Sequence, residues 1–342
     1  MPMFFHDDSH RLHSPRMWLN RGVQQESREK PERAEMLKAA LTGAGYQARE
    51  PGDFGVHPLL QVHSRRYLKF LEAAFAEWTA LDGAGPEVVA NVFPVGKVPG
   101  YPSIISGRAG FHMGDLACPI GAGTWKAAYG SAQTAIACAD AVLSAGNNVR
   151  VYGLCRPPGH HAFAERASGY CYLNNAAIAA QHLRDNGADR VTILDVDVHH
   201  GNGTQDIFYE RGDVQFVSIH GHPAAFFPFF WGYSDQIGAG DGSGANVNLP
   251  LPLGTSEHTY LEALSVAMHG VEAFGPDAIV VSLGLDIFVG DPYAAFGITT
   301  AGFRRIAARI GALRKPTVIL QEGGYLCPEL GANLLAFLEG IA

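Results

Sequence analysis

The stretch VTILDVDVHHGNG, residues 191–203, begins as a run of Val, Ile and Leu and ends on two glycines, with two aspartates and two histidines between. A near-continuous apolar run of this kind is what a strand buried on both faces looks like. Four further runs share the pattern: VRVYGLC (149–155), VQFVSIH (214–220), AIVVSLGL (278–285) and TVILQ (317–321). Helical stretches separate them, at 174–186, 257–274 and 302–313, and Gly187 sits where a C-terminal cap is expected. This alternation predicts a three-layer α/β fold in which helices cover a parallel sheet.

The rest of the chain sets bounds. Of 342 residues, 47% are hydrophobic and 17% charged, enough apolar content for a large core and too little charge for a disordered chain. With 25 Lys+Arg against 33 Asp+Glu the net charge is −8, and no long basic run occurs, so nucleic acid is not an expected partner. Five scattered cysteines without CxxC spacing point to reduced thiols. The opening MPMFFHDDSH is not a secretory signal, and no apolar run reaches the roughly 18 residues of a membrane span, so a soluble, cytoplasmic protein is expected. PERAEMLKAALTGAGY (31–46), YLKFLEAAFAEW (67–78) and TWKAAYGSAQTAIACADAVLSAG (124–146) read as helices, whereas residues 83–123 show no sustained period and read as a long functional or interface loop. The chain reads as one domain, 1–342.

Chemistry gathers at the predicted strand ends, where ligands bind in open α/β sheets. If the strand continues through residue 199, Asp195, Asp197 and His199 share a face, and Asp197 and His199 lie nearest the end, able to reach one ion. Asp195, one pleat deeper, suits an orienting carboxylate or a second cation. His200 turns away. The alternative is a strand end whose polar residues merely cap helices. Asp286, at the end of AIVVSLGLD, is a candidate third ligand, and an Asp/His/Asp set suits Zn²⁺ or Fe²⁺. His160 and His161 follow a Pro-Pro-Gly turn and could flank a reactive water. Tyr325 follows Gly323 and Gly324 and could donate to an oxyanion. His57, His63, His220 and His222 read as structural, and Asp7 and Asp8 are left open as residues of the site's mouth.

RPPGHHA, SGYCYLNN, DVDVHHGNGTQ, GLDIFVGDP and EGGY, in that order, resemble the signature segments of the histone deacetylase superfamily, closely over residues 150–330. PERAEML, QVHSRRYLKFL and the insertion at 83–123 extend the resemblance across nearly the whole chain, most of all to bacterial acetylpolyamine amidohydrolases. The resemblance implies an arginase/deacetylase-like fold with an eight-stranded parallel sheet, and a zinc-dependent amidohydrolase acting on N-acetylated amines, acetylpolyamines first and other small amides or acyl-lysine next. It makes Asp197, His199 and Asp286 the metal ligands, His161 the general base and acid, His160 its electrostatic partner, and Tyr325 the carbonyl-polarising group. Asp195 orients His160. Asn202, where many eukaryotic relatives have Asp, orients His161. A structural potassium ion is implied at Asp195, Asp197, His199 and Ser218, and a substrate channel at Gly169, Tyr170, Phe227 and Asp115. The insertion implies a homodimer. Ser106 and Ala117 stand where acidic groups meeting a polyamine are expected, Arg108 adds positive charge, and HGHPAAFFPFFWGY adds aromatics near the site. Competing readings are a non-catalytic sensor of acetylated amines and a binuclear manganese hydrolase of the arginase type.

Overall fold

The computed structural model describes residues 3–96, 100–145 and 148–342. Its centre is an eight-stranded sheet made of β1 (Met3–Phe5), β2 (Gln47–Arg49), β3 (Arg150–Gly153), β4 (Val191–Asp195), β5 (Val214–Gly221), β6 (Asn246–Leu251), β7 (Ala278–Leu283) and β8 (Thr317–Gln321). The order is β2-β1-β3-β8-β7-β4-β5-β6, and every neighbouring pair is parallel. The five apolar runs became the five adjacent strands β3, β8, β7, β4 and β5. Alternation divides each between two cores: Val151, Val191, Ile193, Val280, Val318 and Leu320 face one side, and Tyr152, Leu194, Ile279, Val281 and Ile319 the other. On the first side lie helices α2 (Arg65–Thr79), α4 (Thr124–Ala145) and α5 (Asn175–Asp185); on the second lie α1 (Pro31–Gly43), α7 (Glu257–Phe274), α8 (Thr300–Gly311) and α9 (Leu330–Ile341). The remaining helices of eight or fewer residues include α3 (Ile105–His112) and α6 (Asn202–Phe208).

The helix ends follow local chemistry. Pro31 opens α1, and the side chains of Ser64, Asn174, Ser256 and Thr299 accept N–H groups in the first turns of α2, α5, α7 and α8. Gly275 closes α7 at φ 67°, a left-handed conformation that only glycine adopts at no steric cost. Along α8 the buried residues are Phe303, Ile306, Ala307 and Ile310, the stripe of a helix packed on a sheet. Truncating Phe303 to Ala would cost about 3–5 kcal/mol.

Three expectations are corrected. The strand beginning at Val191 ends at Asp195, so Asp197 and His199 belong to the bend that follows, not to the pleat. Residues 83–123 contain the helix α3, short and glycine-bearing enough to leave no periodic signal, and Val88 pairs with Ile120 across that segment; its residues 97–99 lie outside the described residues. The exposed edge strand β2, reading QAR, carries no apolar run and was not anticipated. Among the described residues no helix is long and apolar enough to cross a membrane.

His63 shows how burial sets acid stability. Its Nε2 accepts the Asn174 N–H at 2.9 Å, and Nδ1 lies 3.3 Å from the Ala164 carbonyl, an arrangement of the neutral ring. Burial holds its pKa down to about 4 against an ordinary 6.5. Its folded pKa lies below the unfolded one, so its contribution is complete above the unfolded value and is lost as pH falls from 6.5 toward 4. In urea unfolding followed through that window, His63→Gln is expected to flatten the decline in stability by about 1.4 kcal/mol per pH unit.

Candidate active site

The strand order places β3, β8, β7 and β4 side by side, so the loops leaving their carboxyl ends meet. These loops carry His160 and His161, Glu322 to Tyr325, Asp286, and Asp197 to Asn202. In the bend after β4, the Asp197 Oδ1 accepts the N–H of His199 at 2.9 Å and lies 3.1 Å from its Nδ1. Its other oxygen accepts the Gly323 N–H at 2.7 Å. Asp286 Oδ1 accepts the Val198 N–H at 3.0 Å, and Oδ2 stands 3.3 Å from His199 Nδ1. One ligand atom each from Asp197, His199 and Asp286 lies within 4.8 Å of the others. Asp286 Oδ2 is buried without a hydrogen-bond partner among the described residues, and burial together with Asp197 raises the Asp286 pKa. A carboxylate oxygen left unpaired beside a second acid is what a cation resolves, so the donor set fits a divalent metal. Gly323 and Gly284 matter here: a Cβ on Gly323 would collide with both carboxylates, and one on Gly284 with Asp197.

The two histidines lie with ring centroids 4.0 Å apart. His160 Nδ1 is 3.0 Å from Asp195 Oδ2, and His161 Nδ1 is 2.7 Å from Asn202 Oδ1. Burial disfavours charge on His160, but Asp195 and Asp197 outweigh it and raise its pKa to about 10. His161 is held well below the ordinary value by burial and then by the charges of His160 and His199. Asn202 is the first residue of α6, and the Gly203 and Thr204 N–H groups donate to the His160 carbonyl, which fastens the two segments together. Tyr325 is buried, its ring 4.7 Å from that of Tyr293 and 6.2 Å from that of Tyr170.

Residues 27–341 match the family model of the histone deacetylase domain. The acetylpolyamine amidohydrolase of Burkholderia pseudomallei is 48% identical over 99% of this chain and 98% of its own, and that of Mycoplana ramosa 43% identical over all of both chains. The crystal structure of acetylpolyamine aminohydrolase from Burkholderia pseudomallei superposes with a TM-score of 0.96 at 46% identity, covering 100% of this chain and 98% of that one. The chain belongs to the histone deacetylase family. It is therefore a hydrolase of the deacetylase type with the arginase/deacetylase fold, and this family's enzymes are generally metal-dependent.

This cluster opens to solvent through a cavity of about 460 Å³ that reaches His160, His161, Asp197, His199 and Tyr325. Gly169, at φ 51°, lies so close to the His161 ring that a Cβ would meet Cδ2 at 2.5 Å. Phe227 stands edge-on to His161, with centroids 5.0 Å apart, and Phe226 stacks on His199 at 4.9 Å. These two come from the aromatic run 220–233, whose Phe229 also lines the cavity. Asp115 lines it too, yet its carboxylate accepts from Ser168 Oγ, Gly169 N and Ala117 N at 2.6–2.8 Å. Ala117 and Arg21 share the mouth, Ser106 lies off it, and Arg108 pairs with Glu77.

Some candidates lie elsewhere. Asp7 and Asp8 do not line the cavity; Asp7 caps a short helical turn, and Asp8 meets Lys38 at 2.8 Å. Ser218 pairs with Asp195 across β4 and β5, and its Oγ is 2.8 Å from His220 Nδ1. His200 turns from the cluster to Asn248, at 3.0 Å.

Sequence reasoning missed a buried support behind Tyr325. Glu29 lies between Arg33 (2.8 Å) and Arg156 (2.7 Å), and Arg33 also donates to the carbonyls of Glu322 and Gly324 while its guanidinium lies 4.7 Å from the Tyr325 ring centroid. Burial would raise the Glu29 pKa, but the two arginines hold it below the usual range. Glu322 accepts the N–H groups of Gly159 and His160 at 2.6 and 3.1 Å, and Asp291 accepts that of Tyr325 at 2.7 Å. EGGY and GDP, already singled out, carried the last two; Arg33 lies in PERAEML, which gave it no role, and Glu29 had no signal beyond a charged residue before a helix start.

Two outcomes follow from this packing. Glu29→Gln leaves two buried guanidinium groups without their carboxylate and is expected to lower stability by about 3–5 kcal/mol in denaturant unfolding. Gly323→Ala is expected to remove the divalent-metal equivalent that depends on Asp286 in equilibrium dialysis, because the new methyl group occupies space held by the Asp197 and Asp286 carboxylates.

Proposed function

We propose that the protein hydrolyses N-acetylated amines to acetate and free amine, with Zn²⁺ as the resident ion and Fe²⁺ equally suited to the donor set, held by Asp197, His199 and Asp286. Acetylpolyamines lead as substrates, on the names of the full-length relatives. The observation that carries the reading is the convergence of Asp197, His199, the His160–His161 pair and Tyr325 on one cavity, with Asp286 grouped against Asp197 and His199. When bound, the ion supplies Lewis acidity toward the amide carbonyl and toward water.

The chain's own residues manage protons and charge. Asn202 accepts at Oδ1, so the His161 Nδ1 carries a proton and Nε2 is free to take one from the attacking water. His161 then returns it to the nitrogen of the leaving amine. His160, charged and held by Asp195, places positive charge beside the developing anion. The Tyr325 hydroxyl donates to the carbonyl oxygen as the carbon becomes tetrahedral. Gly169, Tyr170 and Phe227 enclose the acyl arm, and Asp115 supports that wall through Ser168 and Gly169. The same reading includes a structural potassium ion at Asp195, Asp197, His199 and Ser218, one catalytic domain, a cytoplasmic location, and a homodimer made through residues 83–123. A dimer in sedimentation at micromolar concentration supports that last assignment, and a monomer overturns it.

Acetate release from N-acetylputrescine, N-acetylcadaverine and an acetyl-lysine peptide, with and without chelator, tests the activity. Chelator-sensitive release is expected, fastest from the acetylated diamines; no release from any of the three overturns the reading. Tyr325→Phe is expected to lower kcat about 10²–10³-fold. Its metal content should remain that of the unaltered protein, and full kcat would remove Tyr325 from the mechanism.

A further inference from the structure

A second group of metal-binding side chains lies outside the catalytic cavity. β1 ends at Phe5 and His6 follows; Asp7 then caps a short turn, Asp8–Leu12, by accepting the Ser9 N–H at 2.7 Å. That turn brings His10 back over His6, with ring centroids 4.9 Å apart. His6 Nε2 is 3.1 Å from Asp8 Oδ1, and His10 Nε2 is 3.1 Å from Glu35 Oε1 on α1. One ligand atom each from His6, Asp8 and His10 lies within 4.8 Å of the others, and none of these residues, nor Glu35, lines the catalytic cavity.

The independent observation is His10 itself. It is only 1% exposed, yet among the described residues no hydrogen bond satisfies either ring nitrogen; the Glu35 carboxylate near Nε2 is off hydrogen-bond geometry. A buried imidazole left this way loses its solvation without compensation, a cost that a bound ion would remove. Burial, with His6 and Arg156 nearby, lowers its pKa to about 4, and burial with Lys38 lowers that of His6, so both rings are neutral lone-pair donors at neutral pH.

We propose that His6, Asp8 and His10, with Glu35 as a fourth donor, bind a divalent transition-metal ion of the zinc type, separately from Asp197, His199 and Asp286. Two imidazoles and two carboxylates suit Zn²⁺, Ni²⁺ or Cu²⁺ better than Mg²⁺ or Ca²⁺, which favour all-oxygen shells. The carboxylates are now met by Lys38, 2.8 Å from Asp8, and Arg11, 2.7 Å from Glu35. Arg11 is exposed and Lys38 partly so, which lets both cations turn to solvent when an ion enters. The bound ion joins the turn after β1 to α1, so it acts as a structural pin.

The test is zinc binding by the full chain in equilibrium dialysis at neutral pH, with bound metal counted per chain. Loss of one equivalent in His10→Gln, with the equivalent that depends on Asp286 retained, is the expected result. Asp8→Asn changes an exposed carboxylate, leaves folding intact, and is expected to weaken the same equivalent at least tenfold. The proposal is overturned if Asp8→Asn and His10→Gln bind as much zinc, as tightly, as the unaltered protein, or if Asp286→Asn alone removes all bound zinc. The readout is metal content, so its outcome is independent of whether the deacetylase reading survives.

Discussion

Four carboxylates, Asp195, Asp197, Asp286 and Glu322, are buried together at the ends of adjacent strands, and the architecture around them answers that electrostatic load. Carboxylates out of water and close to one another repel, and burial raises the pKa of Asp195, Asp286 and Glu322. The chain offsets this with main-chain N–H groups aimed at the oxygens: Gly323 and His199 at Asp197, Val198 at Asp286, Asp197 at Asp195, and Gly159 and His160 at Glu322. Imidazoles supply positive charge, and a cation held by Asp197, His199 and Asp286 would complete the balance. Backbone can come this close to carboxylates only without side chains in the way, hence glycine at 284 and 323.

The same demand reaches the first thirty or so residues. Arg33 donates to the carbonyls of Glu322 and Gly324, which holds the turn that presents Tyr325, and Glu29 neutralises Arg33 and Arg156 in turn. The start of α1 is thereby tied to loops leaving β3 and β8. Below the bend that carries Asp197 and His199 lies the sheet; behind Tyr325 lies a buried ion-pair network. Both leave the reactive side chains little freedom, which is how a site keeps proton donors and acceptors in register without substrate.

Where the chain departs from what its resemblance leads one to expect is at the mouth. Ala117 lines it without charge, Arg21 adds a cation, and Asp115 spends its carboxylate on Ser168, Gly169 and Ala117. The walls are aromatic, with Phe226 and Phe227 against His199 and His161.

The apolar runs made the five adjacent strands legible, because burial on both faces leaves a local, continuous signal, and the helix stripes were legible for the same reason. The resemblance of a few short segments then singled out Asp197, His199, Asp286 and the histidine pair, residues that the fold brings together. The pleat argument for Asp197 and His199 named residues that do converge, but through a bend stabilised by Asp197 accepting the His199 N–H rather than through an extended strand. Sequence alone thus determined the layers, the strand ends and the residue types that could meet there. Only the tertiary structure decided that Gly323 meets Asp197 across 126 residues, that Arg33 meets Gly324 across 291, and that His10 is left buried beside His6. Periodicity is a property of neighbours along the chain, whereas these contacts depend on strand order and the paths of loops, which no local pattern encodes.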